Sequence, residues 1–292
     1  MRGFELVSAK DSRHAVALLA EHAPSARILA GGTDLLVDLK SSPHTPRVVI
    51  DISRAEDLKI IARTDEGLSI GALVTHAEIM RSPLIREMFP ALAEAAHSIG
   101  AVQTRNLGTL GGNLVTGVPS MDSGPTLLAL DALVTVAGPA GRRQMPLGEF
   151  FVAPRKTALQ PAELLAEIVI PRQNLGKPAQ FLKFGLRKGQ ALALVNVAAS
   201  LWVDWDTNVF VAPRIALGAV APTVIRASKA EALLEGRAVT PEAMAEAGRM
   251  AAGEARPIND FRASAAYRRE LIAVLTKRAL EGAYARARAT RA

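Results

Sequence analysis

The sequence predicts an α+β fold in which an N-terminal part built from small α/β units precedes a C-terminal part with a three-stranded antiparallel sheet and a helical bundle. Three observations predict it. Short apolar strand runs alternate with helical stretches over the first third of the chain. A polar, breaker-rich stretch, Gln173-Asn174-Leu175-Gly176-Lys177-Pro178, then interrupts it. Beyond that stretch three strand runs follow one another, and after them the pattern is helical.

The elements follow in order. Val16, Leu18 and Leu19 among Ala and polar residues predict a helix over 12–21. Arg27-Ile28-Leu29-Ala30 is a short strand that stops at Gly31-Gly32. Val48-Val49-Ile50-Asp51-Ile52 is a second strand and Leu68-Ser69-Ile70-Gly71-Ala72 a third. Thr75 and Glu78 have the spacing at which hydroxyl and carboxylate cap each other's backbone amides, so a helix starts near Thr75. Another covers about Ala91 to Ile99. Leu133-Val134-Thr135-Val136 and Arg143-Gln144-Met145-Pro146 flank Gly138-Pro139-Ala140-Gly141, a hairpin signal. Glu163 to Ile170 is a further strand, ended by Pro171. The main boundary falls in the breaker-rich stretch, giving parts 1–176 and 177–292. Phe181 to Arg187, Leu192 to Val203 and Val209 to Val220 read as successive antiparallel strands, with Asp204-Trp205-Asp206-Thr207-Asn208 turning the last two. From Ser228 onward the chain reads as helical. Thr240 is an N-cap with Pro241 in the first helical position, and the final helix runs from about Ala263 to Ala287.

Composition narrows the function. The 292 residues are 49% apolar and 22% charged, which supports a buried core and excludes bulk disorder. Cysteine is absent, so the chain has no disulfide, no cysteine-ligated zinc, no iron–sulfur cluster of its own and no thiol nucleophile. Lys+Arg 35 against Asp+Glu 28 gives +7, which favours an anionic ligand or partner. The basic residues are scattered from Arg2 to Arg291, with a mild concentration at Lys277, Arg278, Arg286, Arg288 and Arg291, and aromatics are only 4%. A solvated helix face explains that better than a nucleic-acid groove, so no nucleic-acid partner is expected. Met1-Arg2-Gly3-Phe4-Glu5-Leu6 lacks the apolar core of a signal peptide. No apolar run reaches the roughly 18 residues that span a bilayer. Asp131 interrupts the best candidate, Thr126 to Val136. The expectation is a soluble, cytoplasmic protein without a transmembrane segment.

Two glycine-rich loops stand out. Ile28-Leu29-Ala30-Gly31-Gly32-Thr33-Asp34-Leu35 follows a strand directly. The other is Arg105-Asn106-Leu107-Gly108-Thr109-Leu110-Gly111-Gly112-Asn113. Neither fits GxGxxG or GxxxxGK[ST], which disfavours a Rossmann dinucleotide site and a Walker ATPase. Paired glycines let successive backbone amides turn toward one point, a nest for oxyanions, and the missing Cβ atoms admit a phosphate close to the backbone. Thr33, Thr109 and Asn113 add side-chain donors. Either loop alone reads equally as a tight turn at a strand end. A hydrogen bond to a charged group nets roughly 1.5–3 kcal/mol, whereas association costs about 4–15 kcal/mol. One nest therefore hardly holds a dinucleotide, and the expectation is that both loops converge on one diphosphate.

Asp122, in Pro119-Ser120-Met121-Asp122-Ser123-Gly124-Pro125, reads either as an acceptor for a polyol or as a turn or helix-capping residue. The five histidines, His14, His22, His44, His76 and His97, show no metal-ligand spacing and no catalytic context. GxSxG is absent. With no acid–base machinery evident, no catalytic residue and no metal ligand are assigned, and a cofactor is expected to carry the chemistry.

These loops and their surroundings resemble the FAD-binding medium subunit of the xanthine dehydrogenase / carbon monoxide dehydrogenase family of molybdenum hydroxylases. Ile28 to Lys40 resembles that family's first FAD loop and Arg105 to Asn113 its second. Ile70-Gly71-Ala72-Leu73-Val74-Thr75 is similar to its next strand and cap, and Pro119 to Ala132 to the segment beyond the second loop. Phe181-Leu182-Lys183-Phe184-Gly185-Leu186-Arg187 resembles the opening of its C-terminal domain, and Arg262-Ala263-Ser264 with Tyr267-Arg268-Arg269 its last helix. The resemblance implies an FAD-binding domain of two α/β subdomains of the vanillyl-alcohol-oxidase, PCMH-like type, about 1–57 and 58–176, and then a C-terminal α+β domain. It implies that Ile28, Leu29, Ala30, Gly31, Gly32, Thr33, Asp34 and Leu35, with Thr109, Leu110, Gly111, Gly112 and Asn113, wrap the FAD pyrophosphate. It implies further cofactor contacts from Asp122 and Lys183 and apolar ones from Ile99 and Leu165. Ile99 replaces an aromatic of some members, and Gly189-Gln190-Ala191 stands where some relatives carry an acidic pair. The cysteine-bearing insertion of benzoyl-CoA-type relatives is absent.

The implied function is electron transfer by non-covalently bound FAD. Electrons come from [2Fe-2S] clusters of a small subunit, a large subunit holds the molybdenum cofactor, and an external acceptor takes the electrons. The implied assembly is a dimer of heterotrimers. An alternative is a self-sufficient flavin reductase of the enolpyruvyl-sugar nucleotide reductase type, which needs a substrate pocket and a proton donor within this chain. A third is a nucleotide-binding module without redox work. On this reading Gly32→Asp and Gly111→Asp each lose FAD and keep the fold.

Overall fold

A computed structural model describes residues 3–41 and 45–291. Met1, Arg2 and His44, named above, lie outside the described residues. The N-terminal unit comprises β1 (Glu5–Ser8), α1 (Ser12–His22), β2 (Ala26–Leu29), α2 (Leu35–Ser41) and β3 (Val48–Asp51). Its strands form a parallel sheet in the order β1-β3-β2. Val48, Val49 and Ile50 are sealed in its middle strand, the continuous apolar run expected of a strand buried on both faces. Asp11 caps α1 by accepting from the His14 amide at 2.7 Å, and Ala15, Val16 and Leu19 turn inward.

The second unit is antiparallel. A five-stranded sheet runs in the order β4 (Ile61–Arg63), β5 (Gly67–Gly71), β10 (Leu164–Pro171), β6 (Leu133–Gly138), β7 (Gly141–Pro146). Between β5 and β6 the chain makes α3 (His76–Arg81), α4 (Pro83–Met88), α5 (Pro90–His97), α6 (Val102–Leu107), α7 (Leu110–Thr116) and α8 (Ser123–Ala129). After β7 come α9 (Leu147–Phe150) and the small hairpin β8 (Phe151–Ala153) and β9 (Lys156–Thr157). The reciprocal Thr75–Glu78 cap of α3 is present, the Thr75 amide donating to Glu78 at 2.7 Å. β10 takes the centre of the sheet because both its faces are apolar, with Leu164, Leu165, Ala166, Ile168, Val169 and Ile170 all buried.

The C-terminal sheet has four strands rather than three, in the order β11 (Ala179–Gly185), β12 (Ala193–Asp204), β13 (Val209–Gly218), β14 (Ile225–Arg226). β14 is two residues long, too short for any alternation to announce it, and it is fixed by pairing with Ala216 and Leu217. The helices α10 (Ser228–Leu234), α11 (Pro241–Glu254) and α12 (Ala265–Arg291) follow. The region beyond Ser228 is not helical throughout. Residues 255–264 are irregular, because Pro257 lacks an amide donor and the Asp260 carboxylate takes the Arg262 and Ala263 amides at 2.9 and 3.1 Å. The last helix therefore starts at Ala265. One core runs from the five-stranded sheet through α3, α5 and α8 to Phe181, Ala198 and Ala216 on one face of the C-terminal sheet. Val195, Val197, Ala199 and Leu201 alternate to the other face and pack under α10–α12.

Candidate functional site

A groove of about 940 Å³ opens where the end of β2, the β5–α3 segment, α7 and β10 meet. A recess of about 880 Å³ continues it toward Asp122 and residues 190–192, and the two share Thr33, Asp34, Ile99, Thr104, Asn113 and Thr116. Of the residues the sequence singled out, Ile28, Ala30, Gly31, Gly32, Thr33, Asp34, Leu35, Ile99, Thr109, Gly111, Gly112, Asn113 and Leu165 line the groove, and Asp122 lines the recess. Leu29, Leu110 and Lys183 do not line either. Leu110 is sealed in the core, and Leu29 ends β2.

The two loops touch. A Cβ on Gly31 would fall 1.8 Å from the Leu107 carbonyl oxygen, a contact only glycine permits. Gly32 adopts φ +72°, which turns the chain from β2 into the segment before α2. Within the described residues the amides of Gly31, Gly32, Thr33, Asp34 and Leu35 donate to nothing. That is an open row of donors on the groove wall.

The second loop differs from expectation. Of its amides from Thr109 to Asn113, the last four are spent on holding the loop, and that of Thr109 donates to nothing among the described residues. Leu110 donates to the Val74 carbonyl at 2.8 Å, Gly111 to Ala72 at 2.9 Å, Gly112 to the Thr109 hydroxyl at 3.0 Å and Asn113 to the Thr109 carbonyl at 3.0 Å. These bonds dock the start of α7 against the β5–α3 segment. Gly111 has no Cβ because Ala72 fills the space, its own Cβ standing 2.6 Å from where one would lie. The second loop instead supplies the groove with the Asn113 side chain. Its Oδ1 accepts from the Ser123 hydroxyl at 2.6 Å, which leaves Nδ2 as a donor.

Asp122 stands at the N-cap position of α8 without capping it. Its carboxylate accepts from Lys183 Nζ and, at 2.9 Å, from Asn196 Nδ2. Burial pushes the carboxyl above its usual range, and the Lys183 ammonium opposes that push. Lys183 also donates to the Ser98 carbonyl at 3.0 Å, so it ties β11 to the end of α5. Glu163, also on the groove wall, is held by two bonds from Arg143 at 2.9 and 2.7 Å, which keep its carboxyl below the ordinary range.

His76 on the groove wall carried no role in the sequence. It is 2% exposed, and its imidazole is pushed down to about 4, first by burial and then by the Arg105 guanidinium. Ile52, Leu73 and Leu164 add apolar wall. No local signal marks these residues, because strands from three places in the chain bring them together. Among the described residues no group of three His, Cys, Asp or Glu side chains is placed to hold a metal ion, and no helix is long and apolar enough to cross a membrane. Open amides and the Asn113 donor suit an anionic centre, while Ile28, Ile52, Leu73, Leu164 and Leu165 suit a flat apolar group. A groove with this mixed lining, continued by the recess, suits a ligand with an anionic centre and a flat apolar end.

Comparison with known proteins bears on the ligand. The family described as "FAD binding domain in molybdopterin dehydrogenase" matches residues 2–173, and the "CO dehydrogenase flavoprotein C-terminal domain" matches residues 180–283. The carbon monoxide dehydrogenase medium chain of Hydrogenophaga pseudoflava is 35% identical over 285 residues, covering 97% of this chain and 98% of that one. Subunit alpha of the 6-hydroxypseudooxynicotine dehydrogenase complex of Paenarthrobacter nicotinovorans is 34% identical over 288 residues, covering 99% and 97%. The solved structure of the Hydrogenophaga pseudoflava carbon monoxide dehydrogenase that lacks the Mo-pyranopterin moiety matches with a TM-score of 0.93 at 34% identity, covering 98% of each chain.

Proposed function

The chain belongs to the family of FAD-binding medium subunits of molybdenum-containing dehydrogenases, and from that premise we propose that it is the electron-transfer subunit of a heterotrimeric molybdenum hydroxylase. In this reading a small subunit delivers electrons from [2Fe-2S] clusters, a large subunit holds the molybdenum cofactor and oxidises the substrate, and an external acceptor drains the electrons. The assembly is a dimer of heterotrimers in the cytoplasm. The chain divides into an FAD-binding domain, 1–176, and a C-terminal domain, 177–292. A chain with no cysteine cannot ligate the iron–sulfur relay, so the relay belongs to a partner.

The observation that carries the reading is the row of unspent amides from Gly31 to Leu35 on the groove wall. These amides and Asn113 Nδ2 would hold the FAD diphosphate, with Thr33 beside them. Ile99 and Leu165 would flank a ring system with apolar surface, and the Lys183-held Asp122 would accept from a hydroxyl. Bound non-covalently, FAD supplies the exchange of one or two electrons. The protein's part is to bind, orient and shield.

The self-sufficient reductase finds less support, because Glu163 of the groove is committed to Arg143 and Asp122 of the recess to Lys183. The test is to load the purified full chain with FAD, then reduce and reoxidise it without oxygen and identify the proteins and metals that co-purify. We expect flavin absorbance that bleaches and returns, with a molybdenum-bearing and an iron–sulfur partner. Absence of flavin uptake, or turnover of a small substrate by the isolated chain, would overturn the reading.

A further inference from the structure

We propose that His76 donates a hydrogen bond from Nε2–H to the diphosphate of the bound dinucleotide, at the corner where the two glycine loops meet; the proposal rests on the FAD reading above. Geometry places the ring there. His76 is the first residue of α3, and its backbone amide donates to the Gly108 carbonyl at 3.0 Å, so the second loop holds it in position. The point where a Cβ on Gly108 would lie is 3.4 Å from His76 Cδ2 and 3.5 Å from the Thr33 hydroxyl. Cδ2 is bonded to Nε2. Cδ2 thus stands beside the corner that Thr33 also borders, and of the two ring nitrogens only Nδ1 is both sealed and unpaired, Nε2 not being among the sealed atoms.

Among the described residues the ring has no partner. Nδ1 is sealed from solvent and accepts or donates nothing, and no hydrogen bond among the described residues uses Nε2. Buried imidazoles ordinarily find partners, so a histidine 2% exposed with both nitrogens unpaired on a groove wall points to something that enters the groove. A metal is not it, because no second and third ligand stand nearby among the described residues. A proton on sealed Nδ1 would be an orphaned donor, whereas a proton on Nε2 points where an oxyanion would sit. Burial and Arg105 keep the ring uncharged at neutral pH, so it adds direction without adding a full charge. With the Gly31–Leu35 amides and Asn113 Nδ2, the diphosphate is then gripped from two sides.

The test uses the full chain, stripped of flavin and titrated with FAD and separately with ADP, which keeps the diphosphate and discards the flavin. His76→Phe fills the ring volume without a nitrogen, and His76→Gln returns an N–H near the Nε2 position. We expect His76→Phe to weaken both FAD and ADP tenfold or more, about 1.4 kcal/mol, and His76→Gln to recover most of that loss. Nitrogen-15 spectra of the wild-type ring should show the Nε2–H tautomer, with that proton slowed in exchange once FAD is added. Unchanged FAD affinity in His76→Phe, unchanged ADP affinity, or a proton on Nδ1 would each overturn the assignment. A wild-type chain that takes up no FAD would defeat the FAD reading itself.

Discussion

Gly31 and Leu107 meet so closely that nothing fits between them: a Cβ on Gly31 would stand 1.8 Å from the Leu107 carbonyl oxygen and 3.1 Å from the Gly108 amide nitrogen. Residues far apart in the chain are thereby locked backbone to backbone, and the row of open amides in the first loop is set against the docked start of α7. The obstruction is backbone, which cannot swing aside as a side chain does.

Gly31→Ala should therefore separate the loops. We expect the apo chain to lose about 1–3 kcal/mol, the ordinary cost of overpacking, and FAD affinity to fall at least tenfold. Denaturant unfolding and flavin titration of the same preparations check both, and an unchanged affinity would count against the loop contact as the organiser of the site.

Gly32 and Gly111 should respond differently to the same substitution, contrary to the expectation from sequence that each variant loses FAD and keeps the fold. At Gly32 a Cβ meets only the flexible ends of Leu36 and Leu29, and φ +72° is a conformation aspartate tolerates better than most residues. Gly32→Asp should lower FAD affinity about 100-fold through charge repulsion, roughly 2.7 kcal/mol, with a melting temperature lowered only modestly by the backbone strain at this position. At Gly111 the Cβ would meet Ala72 Cβ at 2.6 Å and its carbonyl oxygen at 2.7 Å, inside the packed wall. Gly111→Asp should unfold well below the wild type, and thermal melts of the two variants side by side decide the matter.

The buried imidazole of His76 sets a pH dependence of stability. Its folded-state value is lowered from 6.5 to about 4, so as the pH falls through that window the unfolded chain takes a proton that the folded chain refuses. Stability is therefore retained above about pH 6.5 and lost on acidification toward about 4, by roughly 3 kcal/mol in all. Urea midpoints of the apo chain at several pH values should trace this loss. His76→Phe should remove that component of the slope, and an identical slope in the variant would refute the assignment.

Asp131 joins the two halves of the molecule. It lies between α8 and β6 at φ +52°, and its carboxylate accepts from Arg214 Nε at 3.0 Å, from Arg226 Nη1 at 2.7 Å and from Asn174 Nδ2 at 3.2 Å. Asp131→Asn keeps a side chain suited to the left-handed region and removes the charge, so about 1–2 kcal/mol should be lost from this partly exposed cluster. Asp131→Ala should cost about 1 kcal/mol more, from backbone strain. A double-mutant cycle with Arg226→Ala should give a coupling energy of at least about 0.5 kcal/mol.

Much of this protein was legible in residue order alone. The strand runs read at Leu192 to Val203 and Val209 to Val220, the Thr75–Glu78 cap and Thr240 before Pro241 are signals carried by neighbours, because strand runs and caps depend on residues a few positions apart. The two glycine loops announced themselves for the same reason, and the absence of cysteine excluded metal relays at once. The division of labour between those loops was decided by the tertiary structure. Whether an amide is open depends on which carbonyl arrives from elsewhere. Val74 and Ala72 reach Leu110 and Gly111, and among the described residues nothing reaches Gly31 to Leu35. In the same way, Asp122 has the position of a cap but serves Lys183, which comes from another sheet, and His76 follows a helix cap yet ends in a groove wall without a partner among the described residues. Hydrogen-bond satisfaction and burial are properties of the assembled chain, and the site's chemistry rests on them.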